Sequence, residues 1–154
     1  MSERIRIRRA ISEDTLAIES GIIDWLHWKT PREASIKRAV GNGELLVATN
    51  RENAVIGFIH TVMYEDIIDG GPVSFITSFY VDPESRSKGV GSRLLKRAIA
   101  YSIKEGAIGV KTSTASPDAR RFYEAHHFKQ FMGDWTMGEV FLELDMKPYT
   151  RPQP

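Results

Sequence analysis

The stretch over residues 74–106, SFITSFYVDPESRSKGVGSRLLKRAIAYSIKEG, limits what this chain can fold into more than any other. An apolar run from Phe75 to Val81 stops at Asp82-Pro83. A short polar loop follows, Arg86-Ser87-Lys88-Gly89-Val90-Gly91. A helical stripe starts inside it, with Val90, Leu94, Leu95, Ala98, Ile99 and Ile103 on one face. Strand, glycine loop and helix in this order bind phosphate. Two glycines let successive backbone N–H groups turn toward one anion, and the new helix aims its positive dipole end at the same point. Arg86 and Lys88 add mobile positive charge.

The loop is not the dinucleotide fingerprint, because Leu94 stands where the third glycine would be. Nor does the chain contain a Walker string. What remains is R-x-x-G-x-G. Downstream lies a second pattern, Ala119-x-x-Phe122-Tyr123-Glu124-x-x-x-Phe128. The two together resemble the acyl-CoA loop and the A-x-x-[LF]-Y-E segment of the GCN5-related N-acetyltransferases.

Length and composition narrow the rest. With 154 residues, 42% hydrophobic and 27% charged, the chain reads as one domain over residues 1–148. Residues 149–154 hold two prolines and read as a loose tail. A net charge of +1 gives no reason to expect nucleic acid. The absence of cysteine excludes a disulfide framework, thiolate metal sites and a cysteine nucleophile. His126 and His127 are adjacent and make a poor metal pair, so no metal is expected. No apolar run reaches the length of a membrane span, and the start, MSERIRIRRA, lacks a signal peptide's apolar segment. The expectation is a cytoplasmic protein, with room for a homodimer.

Periodicity predicts the remaining elements. Residues 4–8 alternate as a strand, whose arginine row is either a solvated face or an anion site. Ser12 reads as an N-cap, with Leu16, Ile22, Ile23 and Leu26 facing the core on a helix to Lys29. Pro31 opens a second helix that Gly41-Asn42-Gly43 ends. Residues 44–49 and 54–64 form a hairpin, and 65–72 a loop. Strand 107–112 should pair in parallel with the 75–81 strand, as the crossover helix between them requires. Ser116-Pro117 opens a helix, and two antiparallel strands close the sheet around a loop containing Trp135. The fold class is α+β, a mixed, mostly antiparallel sheet of about seven strands with four helices and a central parallel pair. The acetyltransferase family has the same order of elements.

The resemblance implies an enzyme that moves the acetyl group of acetyl-CoA directly to an amine acceptor. The backbone of Lys88, Gly89, Val90, Gly91 and Ser92, with Ser87 and Arg86, would grip the pyrophosphate. Backbone groups of Phe79, Tyr80 and Val81 would hold the pantetheine arm as an added strand holds its neighbour. Tyr123 would protonate the leaving thiolate, with Ser116 nearby where the family carries Asn. Phe122 reads as the core residue of the pair. Many members place Glu or Asp on the central strand, where this chain has Phe75, Thr77 and Ser78. The base is then a water relay through Thr77 or Ser78, or His60, although a lone strand histidine more often has a structural place. Weaker candidates are Glu65 and Asp66. His127 replaces a family glycine and suggests a backbone without positive φ there. Glu65, Asp66 and Asp69, or Glu19 and Asp24, could attract a cationic amine, and Trp25, Trp28 and Trp135 could line its pocket. The rival readings are a non-catalytic acyl-CoA-binding module and, more distantly, a nucleotide-binding domain.

Overall fold

In the computed structural model, which describes residues 4–134 and 138–149, the alternating arginines and isoleucines do form a strand, β1 (Arg6–Arg9). The expected hairpin is β2 (Leu45–Thr49) and β3 (Val55–Asp66), antiparallel from Leu45↔His60 to Thr49↔Val55, with a register shift at Ala48/Thr49. All five residues of β2 are buried, which is why it reads as an unbroken apolar run. The central strand, β4 (Gly71–Val81), begins before the apolar run that announced it. After it come α3 (Val90–Lys104), β5 (Gly109–Thr114), α4 (Pro117–Ala125), β6 (Phe128–Asp134) and β7 (Glu139–Leu144). The seven strands lie in the order β1-β2-β3-β4-β5-β7-β6. β4 and β5 are parallel from Val73↔Gly109 to Ile76↔Thr112, and β7 runs antiparallel to both β5 and β6. This is the mixed sheet that the order of elements required.

The chain divides into two compact units, Met1–Thr61 with Ser78–Ala98, and Val62–Thr77 with Ile99–Pro154. In the first, α1 (Thr15–Leu26) and α2 (Glu33–Gly41) contribute Ile18, Ile36 and Ala39 to a core shared with Val47, Phe58 and Tyr80. Leu94 of α3 approaches Gly57 of β3. In the second unit, Val73, Val110, Val140 and Leu142 are almost fully buried. The Ser102 hydroxyl of α3 there donates to the Ser74 hydroxyl of β4 at 2.9 Å.

The α1 expectation needs correction. Leu16 and Leu26 are 72% and 44% exposed, and the helix stops at Leu26 with His27 in a left-handed cap (φ 52°). The stripe that meets the sheet is instead Thr15, Ile18 and Gly21-Ile22, then Asp24. It mixes small and polar residues, so counting large apolar side chains picks the wrong phase. Nor is Ser12 the helix cap. Ser12–Asp14 form a 3-10 turn ahead of α1. The Asp14 carboxylate turns back to accept from Arg8 Nη1 at 2.7 Å, Arg8 Nη2 at 3.0 Å and the Ile11 N–H at 2.8 Å. One member of the arginine row is therefore an internal ion-pair partner. Pro31 lies ahead of α2, whose first turn starts at Glu33. Of the expected tail, Tyr149 ends a 3-10 turn, and the remainder falls outside the described residues.

Burial alone would push the Asp14 carboxyl up, but the Arg8 guanidinium and the Ile11 N–H outweigh it and hold the group below its ordinary value. Asp14→Asn should cost about 1.5–3 kcal/mol at pH 7, the range for hydrogen bonds to a charged group. A depressed folded-state value stabilises the fold above the unfolded-state value near 4 and loses that contribution as pH falls through the folded one. Urea denaturation should therefore show the gap between wild type and variant closing toward pH 3.

Candidate active site

The glycine loop is shaped by its backbone. Pro83–Ser85 make a 3-10 turn after Asp82. Ser87 (φ 63°) and Gly89 (φ 81°) then both take the left-handed conformation. α3 begins at once, with the Arg93 N–H donating to the Gly89 carbonyl at 3.1 Å. Val90, 1% exposed, pins the loop to the core, while Arg86 to Gly89 are exposed. First-turn N–H groups face out of a helix's N-terminal end, here from Val90 onward. A Cβ on Gly89 would meet no heavy atom within 4 Å, so a ligand can approach its backbone closely. Arg86 is more constrained than a mobile charge. Its Nε donates to the Val81 carbonyl at 2.8 Å, and its guanidinium lies 5.9 Å from the Tyr80 ring centroid.

The end of β4 is fixed to β3 by the Asp82 N–H, which donates to the Ile56 carbonyl at 2.8 Å. Tyr80 packs on Phe58, with ring centroids 5.7 Å apart, and its hydroxyl donates to Asp24 at 2.8 Å. Burial, then the hydrogen bond and charge of Asp24, push this phenol up to about 12. Its side chain is core, as expected. Phe79 and Val81 on either side are half-buried. The parallel register of β4 with β5 ends at Ile76↔Thr112, whereas β4 continues to Val81. An open pocket of about 290 Å³ lies under α1 against β3, bordered by Ser20, Asp24, Gly57, Tyr80 and Asp82. On β3, His60 Nε2 stands 3.3 Å from Glu44 Oε1. This pair was not read from the sequence, although a hairpin folded about residues 50–53 brings the two positions within one residue of each other.

In the second unit, the Ser116 hydroxyl caps α4 by accepting from the Ala119 N–H at 3.3 Å, and Pro117 is the first helical residue, as expected. Phe122 was the expected core residue of the pair, but Tyr123 is the more buried one. Tyr123 is 5% exposed with its ring 5.2 Å from Phe128, and Phe122 is only half-buried. Burial pushes the Tyr123 phenol up, and a hydrogen bond with Thr112 works against that shift. His127 has φ 72°, so the backbone does demand a positive φ, and histidine adopts it where glycine would be unstrained. Both His126 and His127 lie beyond the end of α4.

The acids before β4 are committed locally. Asp69 and Asp66 lie 2.7 and 3.6 Å from Lys111 Nζ, and Asp66 also accepts from the Ile68 and Asp69 N–H groups. Trp25 and Trp28 are exposed, Trp28 beneath the Arg32 guanidinium, and Trp135 lies outside the described residues. Among the described residues no group of three or more His, Cys, Asp or Glu side chains could hold a metal ion, and no helix is long and apolar enough to cross a membrane.

Known proteins share this fold. Residues 10–128 match the profile of the Acetyltransferase (GNAT) family. The chain is 28% identical over 104 residues to the uncharacterized N-acetyltransferase YhfO of Bacillus subtilis strain 168, across 66% of this chain and 70% of that one. The PaiA N-acetyltransferase of Thermoplasma acidophilum, solved in complex with coenzyme A, superposes with a TM-score of 0.75 at 17% identity, over 92% of this chain and 98% of that chain. Ard1 of Thermoplasma volcanium gives 0.73 at 19%, over 90% and 95%. The chain belongs to the GNAT acetyltransferase family. It is an acetyl-CoA-dependent N-acetyltransferase.

Gly89 and Gly106 (φ 98°) make a matched pair, since a Cβ would find open space at both. Replacing either by Ala places an L side chain in the left-handed region, at about 1–2 kcal/mol. Thermal melts should show similar losses for the two variants. Calorimetry should show acetyl-CoA affinity falling roughly tenfold or more, over 1.4 kcal/mol, in Gly89→Ala alone. Equal affinities in the two variants would remove the loop from the binding site.

Proposed function

We propose that the chain transfers the acetyl group of acetyl-CoA directly to the amine of a small molecule, such as a polyamine, or of a protein. It would do so as one acyltransferase domain over residues 1–148, in the cytoplasm. The observation that carries this reading is the pair of left-handed bends at Ser87 and Gly89, which deliver the chain into the first turn of α3. The backbone of Lys88 to Ser92, with Ser87 and Arg86, would receive the pyrophosphate. The pantetheine arm would run back along Phe79, Tyr80 and Val81, the part of β4 beyond its parallel register with β5. Asp24 and Asp82, on the wall of the pocket under α1, favour an acceptor that carries positive charge. Proximity of amine and thioester would supply much of the rate.

Tyr123 would be the acid, with Ser116 holding the start of its helix. Burial raises the phenol, so it holds its proton at neutral pH and gives it up less readily, and the role rests on its place on α4. The alternative, an acyl-CoA-binding module without turnover, has only the lack of a carboxylate at Phe75, Thr77 and Ser78 behind it, and membership of the acetyltransferase family stands against it. A panel of primary amines with detection of released thiol separates the two. Release with at least one cationic amine supports transfer, and tight acetyl-CoA binding with no release across the panel supports the module. Tyr123→Phe keeps the ring and its packing. Its kcat should fall by roughly 10–10³-fold with acetyl-CoA affinity little changed, since positioned proton donation contributes on the order of 10²–10⁴-fold and solvent replaces part of it. Wild-type turnover in this variant, with chemistry rate-limiting, would leave Tyr123 a packing residue.

A further inference from the structure

An acceptor amine reaches the enzyme as an ammonium ion and must lose a proton before its lone pair can attack. β4 offers no group to take it, but β3 does. The Asp82 N–H to Ile56 carbonyl bond fixes the register between the two strands. One pair further on, the rings of Phe58 and Tyr80 meet. One more pair in the same antiparallel register sets His60 opposite Ser78, with its ring on the Phe58 face. Ser78 is the residue next to Phe79, where a pantetheine arm running back from the loop would present its thioester.

His60 is also oriented. Its Nε2 stands 3.3 Å from Glu44 Oε1, and the two side chains are 25% and 28% exposed. A carboxylate only accepts, so Nε2 carries the hydrogen and Nδ1 holds the lone pair. On this face the ring has Glu44 beside it, just ahead of β2, and, one cross-strand pair along, Tyr80 with Asp24 of α1. Histidine held by a carboxylate in a fixed tautomer is the usual construction of a base.

We infer that His60, positioned by Glu44, is the general base of the transfer, acting on the ammonium directly or through one water held at Ser78. The inference rests on the direct-transfer reading above. The proton passes from the ammonium to Nδ1, giving imidazolium. The amine lone pair forms the C–N bond, and the C–S bond breaks with its electron pair on sulfur. The new amide nitrogen loses its second proton, the thiolate gains one, and His60 returns its proton to solvent. One proton is released per turnover.

The test uses His60→Gln and Glu44→Gln in the full chain, with kcat followed from pH 6 to 10 at saturating acetyl-CoA and acceptor. Wild-type kcat should rise with pH and then level off once the base is in its proton-accepting form. In His60→Gln it should drop roughly 10–10³-fold and keep climbing with pH. In Glu44→Gln kcat should fall less than in His60→Gln, because the ring loses its positioning partner and keeps its own nitrogen. Acetyl-CoA affinity, measured by calorimetry, should be unchanged in both. A kcat profile in His60→Gln that matches wild type overturns the inference and leaves direct transfer standing. So does a defect that saturating acetyl-CoA abolishes. A wild-type protein that binds acetyl-CoA but turns over no amine overturns the direct-transfer reading and this inference with it.

Discussion

A Cβ at residue 57 would stand 2.9 Å from the carbonyl oxygen of Tyr80. Only glycine allows β3 to pass that close to β4, and the rest of the site follows from the contact. It lets Asp82 bond to Ile56 and holds Phe58 against Tyr80. Tyr80 in turn reaches Asp24 of α1 on one side and lies under Arg86 on the other. Arg86 grips the carbonyl of Val81, the last residue of β4. The loop that carries Gly89 is thus supported by a chain of contacts that begins at a missing side chain. Alanine at residue 57 would press on backbone, which has less freedom to move than a side chain.

What could be read from the sequence was what depends on short-range geometry. The strand, glycine loop and helix over residues 74–106 are encoded by an apolar run, a proline stop and a helical stripe, and the structure follows them closely. Ser116-Pro117 opens α4 as its residue types require. The parallel pairing of β4 with β5 follows from the length of the crossover between them. The sheet order needs a long-range arrangement, and there the motif pair supplied what periodicity lacks.

The misreadings have a common origin in polar residues recruited for packing. Ser12 looked like the helix cap, yet Asp14, buried against Arg8, stands at the start of α1. The buried stripe of α1 uses Thr15 and Gly21, so a search for leucines selects the solvent side. Tyr123 is more buried than Phe122 because α4 turns that side of the helix toward Phe128. Asp66 and Asp69 looked like a lure for amines, but Lys111, on β5, lies between them. Lysine 42 residues from its partner gives no local signal. The His60–Glu44 pair was partly accessible, since each residue could be seen and only their cross-strand meeting could not.

The two left-handed residues of the loop differ in what they cost. Gly89 adopts its conformation without steric penalty, while Ser87 at φ 63° holds one that L residues avoid by about 1–2 kcal/mol. A serine stays there only because its surroundings over-determine it, with Val90 locked in the core on one side and Arg86 clasped to Val81 on the other. The strain is therefore present in the resting protein. On the proposed reading, acetyl-CoA would meet at this loop a backbone that is already bent, with little ordering entropy left to lose. Association should then proceed as a single bimolecular step whose rate is set by diffusion and charge, with no slow unimolecular phase behind it.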